Sequence, residues 1–535
     1  MAAHPTHYDY VIVGAGSAGS VLANRLTENP RITVLLIEAG GSERHPLISM
    51  PAGFLKTVDN PSFNWCFHTE PGEAVKDRAI LFPRGKVLGG SSSINGHLYV
   101  RGQRRDYDTW AQLGNRGWSY DDVLPYFRKS ETRPGGDPAF RGRDGPLHIS
   151  DIHERHPLCE AFLETAERLG LPRNRDYNSG DQEGAAYYQR TIRNGRRWGA
   201  VHAFLRPAMK RANLTVESEA MVEAVTFEGR RATGLAYRRW GQPRTALAGR
   251  EVILAAGAVG TPHLLQISGV GPGEHLRAIG VDVRCDMAGV GDGLQDHYAV
   301  RVATRVKGQA TLNERAHGLR LGYEVAKWFA TGNSLIAFSP AHAAAFVKSE
   351  DHLDTPDLQF VFTPASYTDG MIGQLQSFPG MTVGVWQMRP ESRGFVRATS
   401  ASPHDAPAIQ PNYLADEIDQ AAIVRGLKWS RRMLSSPPLN AFNAGETLPG
   451  AEFASDDELL DYARSRGATV YHAVSTCRMG RDDKAVVDDR LRVRGIDRLR
   501  IIDASVMPTM PSANTNAATL MIAEKGADLL AEERF

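Results

Sequence analysis

The first clear signal along the chain is a short apolar run, residues 8–13, that stops at a glycine-rich turn. A run of that length without a polar face reads as a buried strand. Gly14-Ala15-Gly16-Ser17-Ala18-Gly19 follows, residues 21–26 have a helical pattern, and a second apolar run at 34–37 ends on Glu38 and Ala39. Farther on, an amphipathic helix is predicted over 158–169. Short strands at 214–216, 222–227 and 232–237, with Gly229-Arg230 as a turn, predict an antiparallel meander. Residues 252–255 read as a buried strand, with Thr261-Pro262 as the start of the helix after it. The middle third is strand-rich, at 298–306, 358–362, 382–388 and 394–398, interrupted by a helical stretch near 321–330. Helices are predicted over 417–434 and 456–466, a short buried strand over 500–503, and a last helix over 517–530. Residues 46–55 and 133–145 read as loops, and no segment repeats.

The opening pattern carries chemistry. In a dinucleotide fold Gly14 makes the tight turn, Gly16 lets the backbone approach a pyrophosphate, and Gly19 lets the helix pack on the strand. The helix start at Ser17 and Ala18 offers free N–H groups to phosphates. Glu38 stands where such a fold needs an acid for the adenosine ribose. This pattern predicts a dinucleotide site and does not separate FAD from NAD.

Composition narrows the setting. The 535 residues can bury a large core and suggest two or more domains. Lys+Arg 62 against Asp+Glu 61 leaves a formal charge of +1, which argues against a nucleic-acid partner; the basic stretch from Arg101 to Arg105 reads as a solvated turn. Four cysteines without CxxC spacing point to a reducing compartment. No His/Cys/Asp cluster has metal-ligand spacing. No run reaches the roughly 18 apolar residues of a membrane span, and a strand beginning by Tyr8 leaves no room for a signal peptide. The expected setting is cytoplasmic, or at most peripheral on the inner face of the membrane.

Two longer stretches carry a family resemblance. Gly85-Lys86-Val87-Leu88-Gly89-Gly90-Ser91-Ser92-Ser93-Ile94-Asn95 resembles the first signature of the glucose–methanol–choline (GMC) oxidoreductases. Gly257-Ala258-Val259-Gly260-Thr261-Pro262-His263-Leu264-Leu265-Gln266-Ile267-Ser268-Gly269-Val270-Gly271 resembles the second. The likeness runs from Tyr8 to the last helix and is greatest to bacterial FAD-dependent alcohol, choline and sorbose dehydrogenases. It implies an α/β fold, α+β overall. A Rossmann-like FAD-binding domain would be built from 1–155, 198–296 and 465–535. A substrate domain with an antiparallel sheet flanked by helices would come from 156–197 and 297–464. The resemblance implies that Gly89, Gly90 and Ser91 bring backbone amides against a phosphate or flavin edge. Asn95 and Gly96 would meet the flavin, Val222 the adenine, and Asp503 and Ala504 the pyrophosphate and ribityl region. Ala256, at a strand end, would permit close approach of the cofactor. Some members attach FAD through a histidine just before the asparagine; Ile94 stands there, so the expected FAD is non-covalent.

The resemblance also implies the chemistry. The segment from Val470 to Gly480 looks like the catalytic histidine segment, with Tyr471 beside the cofactor, His472 as the base, and Ser475 where glycine is usual. Asn516 aligns with the second active-site position and the cofactor. An imidazole of near-neutral pKa suits removal of a hydroxyl proton. A neutral donor suits the forming alkoxide as hydride leaves for flavin N5. The implied activity is FAD-dependent oxidation of a primary alcohol or polyol to the aldehyde or ketone, with electrons passed to a quinone or other carrier. The alternative is an oxidase that uses O2 and makes H2O2. Cys477 reads as a structural thiol and His297 as a packing or capping residue. His97 lies past the flavin-contacting Asn95 and is read as having no direct role. Phe360, Phe362 and Trp386 are either pocket walls or core.

Overall fold

The computed structural model describes residues 6–152, 154–368 and 374–533. Among these, two seven-stranded sheets carry the architecture. In the first, Thr6–Val13 runs parallel to Val34–Ile37 on one side and to Gln242–Leu254 on the other. Its inner residues are buried on both faces, which is why they read as unbroken apolar runs rather than as alternation. Leu214–Glu217 extends the sheet, parallel to Val34–Ile37. Beyond Gln242–Leu254 come Arg231–Arg239 and Ala220–Glu228, both antiparallel. Leu499–Ile501 joins Gln242–Leu254 in parallel. Leu214–Glu217 is therefore no part of the predicted meander. It is the opposite, parallel edge of the sheet, and only the other two strands form a hairpin. The helices Ser17–Leu26 and Asn516–Ala531 pack on each other, and their buried residues share one core with the central strands.

The helix after Gln242–Leu254 also starts earlier than predicted, at Gly257, whose φ of +80° is open to glycine. Thr261 and Pro262 lie inside it. The missing N–H of Pro262 frees the carbonyl of Ala258, which accepts the Thr476 hydroxyl at 2.7 Å. The Thr261 hydroxyl donates to Asp503 Oδ2 at 2.5 Å instead of capping a helix.

The second sheet is antiparallel, in the order Asn443–Leu448, Tyr298–Val306, Gly380–Gln387, Leu358–Thr363, Ala343–Val347, Gly184–Tyr187, with Ala468–Thr469 also on Tyr298–Val306. Its two faces do different work. Val300, Val302, Phe360, Phe362, Val383 and Val385 belong to a core shared with the helices Pro157–Arg168 and Glu417–Ser435. Phe162 stacks on Phe362 with ring centroids 4.7 Å apart. The period of two sends Ala299, Arg301, Val361, Thr363, Gly384 and Trp386 to the opposite face, where they line a cavity. Of the three aromatic candidates, only Trp386 is a wall; Phe360 and Phe362 are core.

Two further expectations change. Residues 46–55 are not a plain loop: Pro46–Ser49 is helical and Pro51–Lys56 is a 3₁₀ turn that brings Phe54 and Leu55 to the same cavity. Arg101 is not solvated. It is buried and ion-paired to Glu131, which also holds Arg141, itself paired to Asp176. Four charges in alternating sign make that burial tolerable. Among the described residues, no helix is long and apolar enough to cross a membrane.

Candidate active site

A cavity of about 1300 Å³ runs from the first glycine turn to the front of the second sheet. At the turn, Gly14 has φ +94°, and a Cβ there would stand 2.6 Å from the carbonyl oxygen of Ala255. A Cβ on Gly19 would fall 1.9 Å from the carbonyl oxygen of Gly14, so the helix can lie this close only with glycine. Gly16 is the N-cap of Ser17–Leu26 without a side-chain cap, which leaves the first helical N–H groups for a ligand. A Cβ on Gly90 would lie 2.8 Å from the Cα of Gly16, so the two glycine turns close on each other. Ser17, Ala18, Ala39, Ser91, Asn95, Gly96, Val222, Ala256 and Ala504 line the cavity with them. Gly19 and Gly89 shape the turns from behind.

Two buried acids brace this end. Glu38 accepts from the N–H of Ala15 and of Gly40, each at 2.9 Å. Burial pushes its carboxyl up to about 7, against the pull of those two N–H groups and of Lys86. Asp503 accepts from the Gly257 N–H at 2.8 Å and from Thr261, and with its other oxygen from Ser505. It thereby fixes the end of Leu499–Ile501 to the start of the Gly257–Ile267 helix. The Asn95 side-chain oxygen accepts from Arg197 at 2.8 Å.

At the far end stands His472, on a backbone held in unusual conformations. Tyr471 has φ +70° and Ser475 φ +73°. The second value explains why glycine suits position 475. The His472 N–H donates to Asp296 Oδ1 at 2.6 Å. The other oxygen of Asp296 accepts from the hydroxyls of Tyr413 and Thr469. The imidazole is buried. Burial, and then the neighbouring His297 and Arg84, hold its pKa well below the usual histidine value.

Its partners assign its tautomer. His297 Nε2 lies 2.7 Å from the carbonyl oxygen of Met388, which can only accept, so this nitrogen carries the proton. Burial keeps His297 neutral, its pKa down to about 4, and its Nδ1 is therefore an acceptor. His472 Nδ1, 2.9 Å away, donates to it. That leaves His472 Nε2 unprotonated, and it accepts from the side-chain amide of Asn514 at 3.1 Å. Trp386 closes the side, its ring centroid 6.3 Å from that of His472.

Two expectations are corrected here. The residue against His472 is Asn514, whereas Asn516 is the first residue of the last helix and accepts from the Ser17 hydroxyl at 2.6 Å, beside the first glycine turn. His297 is no capping residue but the direct partner of the His472 ring. The signal available in sequence was only an Asp-His pair placed just before a strand. His97 is buried between Ser339 and the Pro51 carbonyl. Cys477 is buried, as expected. Among the described residues no group of His, Cys, Asp and Glu could hold a metal ion.

The space exceeds the roughly 300–1,000 Å³ of an ordinary small-molecule pocket, and it joins a phosphate cradle to a polar pair. A dinucleotide with a large ring system fits that shape, with room for a small substrate. Two family models described as GMC oxidoreductase match residues 8–299 and 390–523. The chain is 42% identical over 536 residues to a mitochondrial choline dehydrogenase of Homo sapiens, covering 98% of this chain and 89% of that one. It is 38% identical over 528 residues to an alcohol dehydrogenase [acceptor] of Pseudomonas putida, covering 98% and 95%. A formate oxidase of Aspergillus oryzae RIB40, described for its FAD modification, superposes with a TM-score of 0.91 at 27% identity, covering 99% of each chain.

Proposed function

Because the chain belongs to the GMC oxidoreductase family and is an FAD-dependent enzyme acting on CH–OH donors, we propose that it oxidises a primary alcohol or polyol with His472 as the base. The observation that carries this reading is the ordered set Met388–His297–His472–Asn514, which leaves His472 Nε2 unprotonated at the end of a cavity reaching the dinucleotide cradle. FAD, when bound, supplies the two-electron acceptor for the hydride of the carbinol carbon. Nε2 of His472 takes the hydroxyl proton. His297 Nδ1 holds the opposite N–H throughout, so the ring cannot turn. The Asn514 amide is free to donate to the alkoxide once Nε2 is protonated. Trp386 and Val470 line the cavity at that end. Gly14, Gly16, Gly90 and the N-terminus of Ser17–Leu26 would hold the pyrophosphate, Glu38 the ribose, and Asn516 would steady Ser17 beside it.

An anaerobic screen of alcohols, sugars and polyols for bleaching of the flavin absorbance tests the reading. Bleaching by none of them would overturn it. The proposed acceptor is a quinone or another carrier, and the proposed setting is the cytoplasm or the inner face of the membrane. With a substrate found, artificial electron carriers are expected to turn the enzyme over faster than air does; peroxide formed at the rate of dye reduction would favour the oxidase instead.

The cofactor is expected to be non-covalent. Ile94, which lines the cavity, has no atom able to bond a flavin methyl carbon. His97 is engaged through both ring nitrogens. Acid precipitation should release yellow FAD and leave colourless protein. Flavin fluorescence that stays with the polypeptide on a denaturing gel would contradict this.

A further inference from the structure

The second sheet presents the reacting end of the cavity with one charged side chain on a floor of small ones. Along Tyr298–Val306 the cavity-facing residues are Ala299, Arg301 and Ala303. Arg301 pairs in register with Gly384, where a Cβ would lie 2.9 Å from Val361. Glycine at that point keeps the space beside the Arg301 stem open. The guanidinium forms no ion pair and no side-chain hydrogen bond with any described residue. Its described neighbours are the ring of Tyr367, 5.8 Å from Cζ, and Tyr471. Arg301 is exposed on the cavity face and has no counter-charge among the described residues, so its guanidinium is open to an anionic ligand.

The acids of the cavity lie elsewhere. Among the described lining residues they are Glu38, Glu219, Asp405 and Asp503. Glu38 and Asp503 brace the dinucleotide cradle, Glu219 stands beside the Ala220–Glu228 strand, and Asp405 acts on His263 of the Gly257–Ile267 helix. None is on the second sheet. A quaternary ammonium alcohol such as choline would meet Arg301 there with no described carboxylate to balance it, although several relatives bear the name choline dehydrogenase. Like charge facing like charge rejects a ligand as firmly as a clash.

The spacing is also readable. Ala299 pairs with Trp386, whose ring lies 6.3 Å from that of His472. Arg301 is two residues farther along the same face, about 7 Å on. We propose that the substrate of this site is an alcohol bearing a carboxylate at its far end, bound as an ion pair to Arg301 with its hydroxyl at His472. A short ω-hydroxy acid or a para-(hydroxymethyl)benzoate has that span. The proposal rests on His472 marking the reacting end, as argued above.

The test is a charge series on one skeleton: 4-(hydroxymethyl)benzoate, benzyl alcohol, and 4-(hydroxymethyl)phenyltrimethylammonium, assayed with the FAD-loaded enzyme. The expected order of kcat/KM is anion, then neutral, then cation. In Arg301→Gln the preference for the anion over benzyl alcohol should fall by roughly 10- to 100-fold, the worth of a charged hydrogen bond, and mainly through KM. Arg301→Lys should restore part of it. Binding of terephthalate, which cannot be oxidised, measured by calorimetry, should be lost in Arg301→Gln. A cation used as well as the anion, or a preference unchanged by Arg301→Gln, overturns the proposal. If none of the three alcohols reduces the cofactor, the wider alcohol screen decides the oxidation reading, and terephthalate binding still decides the anion site.

Discussion

Changing His472 to alanine is expected to lower the rate of cofactor reduction by alcohol by about 10²–10⁴, the range for loss of a positioned general base, while the protein stays yellow. The cofactor should remain because the backbone at 472 is tied to Asp296 through its N–H, not through the ring. Some stability should go, about 1–3 kcal/mol, since His297 Nδ1 and the Asn514 amide each lose a buried partner. The two asparagines should then separate cleanly. Asn514→Ala removes the donor that faces Nε2 and should slow the limiting reduction rate by roughly 10²–10³, as for one oxyanion donor. Asn516→Ala frees the Ser17 hydroxyl at the glycine turn and should weaken FAD retention with a smaller effect on that rate. His297→Phe keeps an aromatic ring but removes the acceptor that fixes the His472 tautomer, so it should lower the rate and shift its acid limb together. Rapid-mixing reduction at near wild-type speed in His472→Ala would remove it from the mechanism.

The contrast between Asn514 and Asn516 shows what a linear reading can and cannot reach. Both lie in one short stretch, and both meet the cavity. What separates them is the start of the last helix, with Thr515 as N-cap in a helical conformation at φ −64°. That geometry turns Asn516 towards Ser17 and leaves Asn514 in the loop facing His472. Local signals served where the physics is local. The helix Asp456–Arg466 begins where Ser455 and Glu458 form a capping box, and it is legible to the residue. The helices Arg104–Gln112 and Tyr120–Ser130 have capping boxes too, but the charged run around Arg101 and a proline at position 125 obscure them. Face assignment stayed open for Phe360, Phe362 and Trp386 because the strands of the second sheet are buried on both sides, so alternation in hydrophobicity is lost. His297 and His472 are 175 positions apart, and no spacing rule joins them. The dinucleotide cradle, by contrast, is nearly contiguous, and its glycines were readable because a missing Cβ is a local requirement.

The same burial that prepares His472 should make the protein acid-sensitive well above the carboxylate range. His297 and His263 are both held down to about 4, chiefly by burial. His97 and His342 are held well below the usual histidine value, by burial first and then by nearby guanidinium groups, Arg190 common to both. In the unfolded chain each of these rings would titrate near 6.5. Their folded pKa values are depressed, so between about 6.5 and 4 the unfolded chain binds more protons than the folded one. The stability they contribute is therefore fully present above pH 6.5 and is lost as pH falls towards 4. At pH 5 a ring shifted from 6.5 to about 4 forfeits roughly 2 kcal/mol. His297 and His263 alone would then remove about 4 kcal/mol, a large part of the 5–15 kcal/mol that holds a typical protein together. Glu38, pushed up to about 7, works the other way, taking up a proton in the folded protein over the same interval and returning roughly 2 kcal/mol. The expected result is a net fall of about 2 kcal/mol in unfolding free energy between pH 7.5 and 5.0, measured by urea titration at constant ionic strength. His263 is the one to remove as a check, since it takes no part in the His472 network. His263→Gln should flatten the pH dependence by roughly 2 kcal/mol over that interval. A pH dependence left unchanged by His263→Gln would mean that this ring accepts a proton without cost, and the neutral state assigned to the buried histidines, His297 among them, would have to be given up with it.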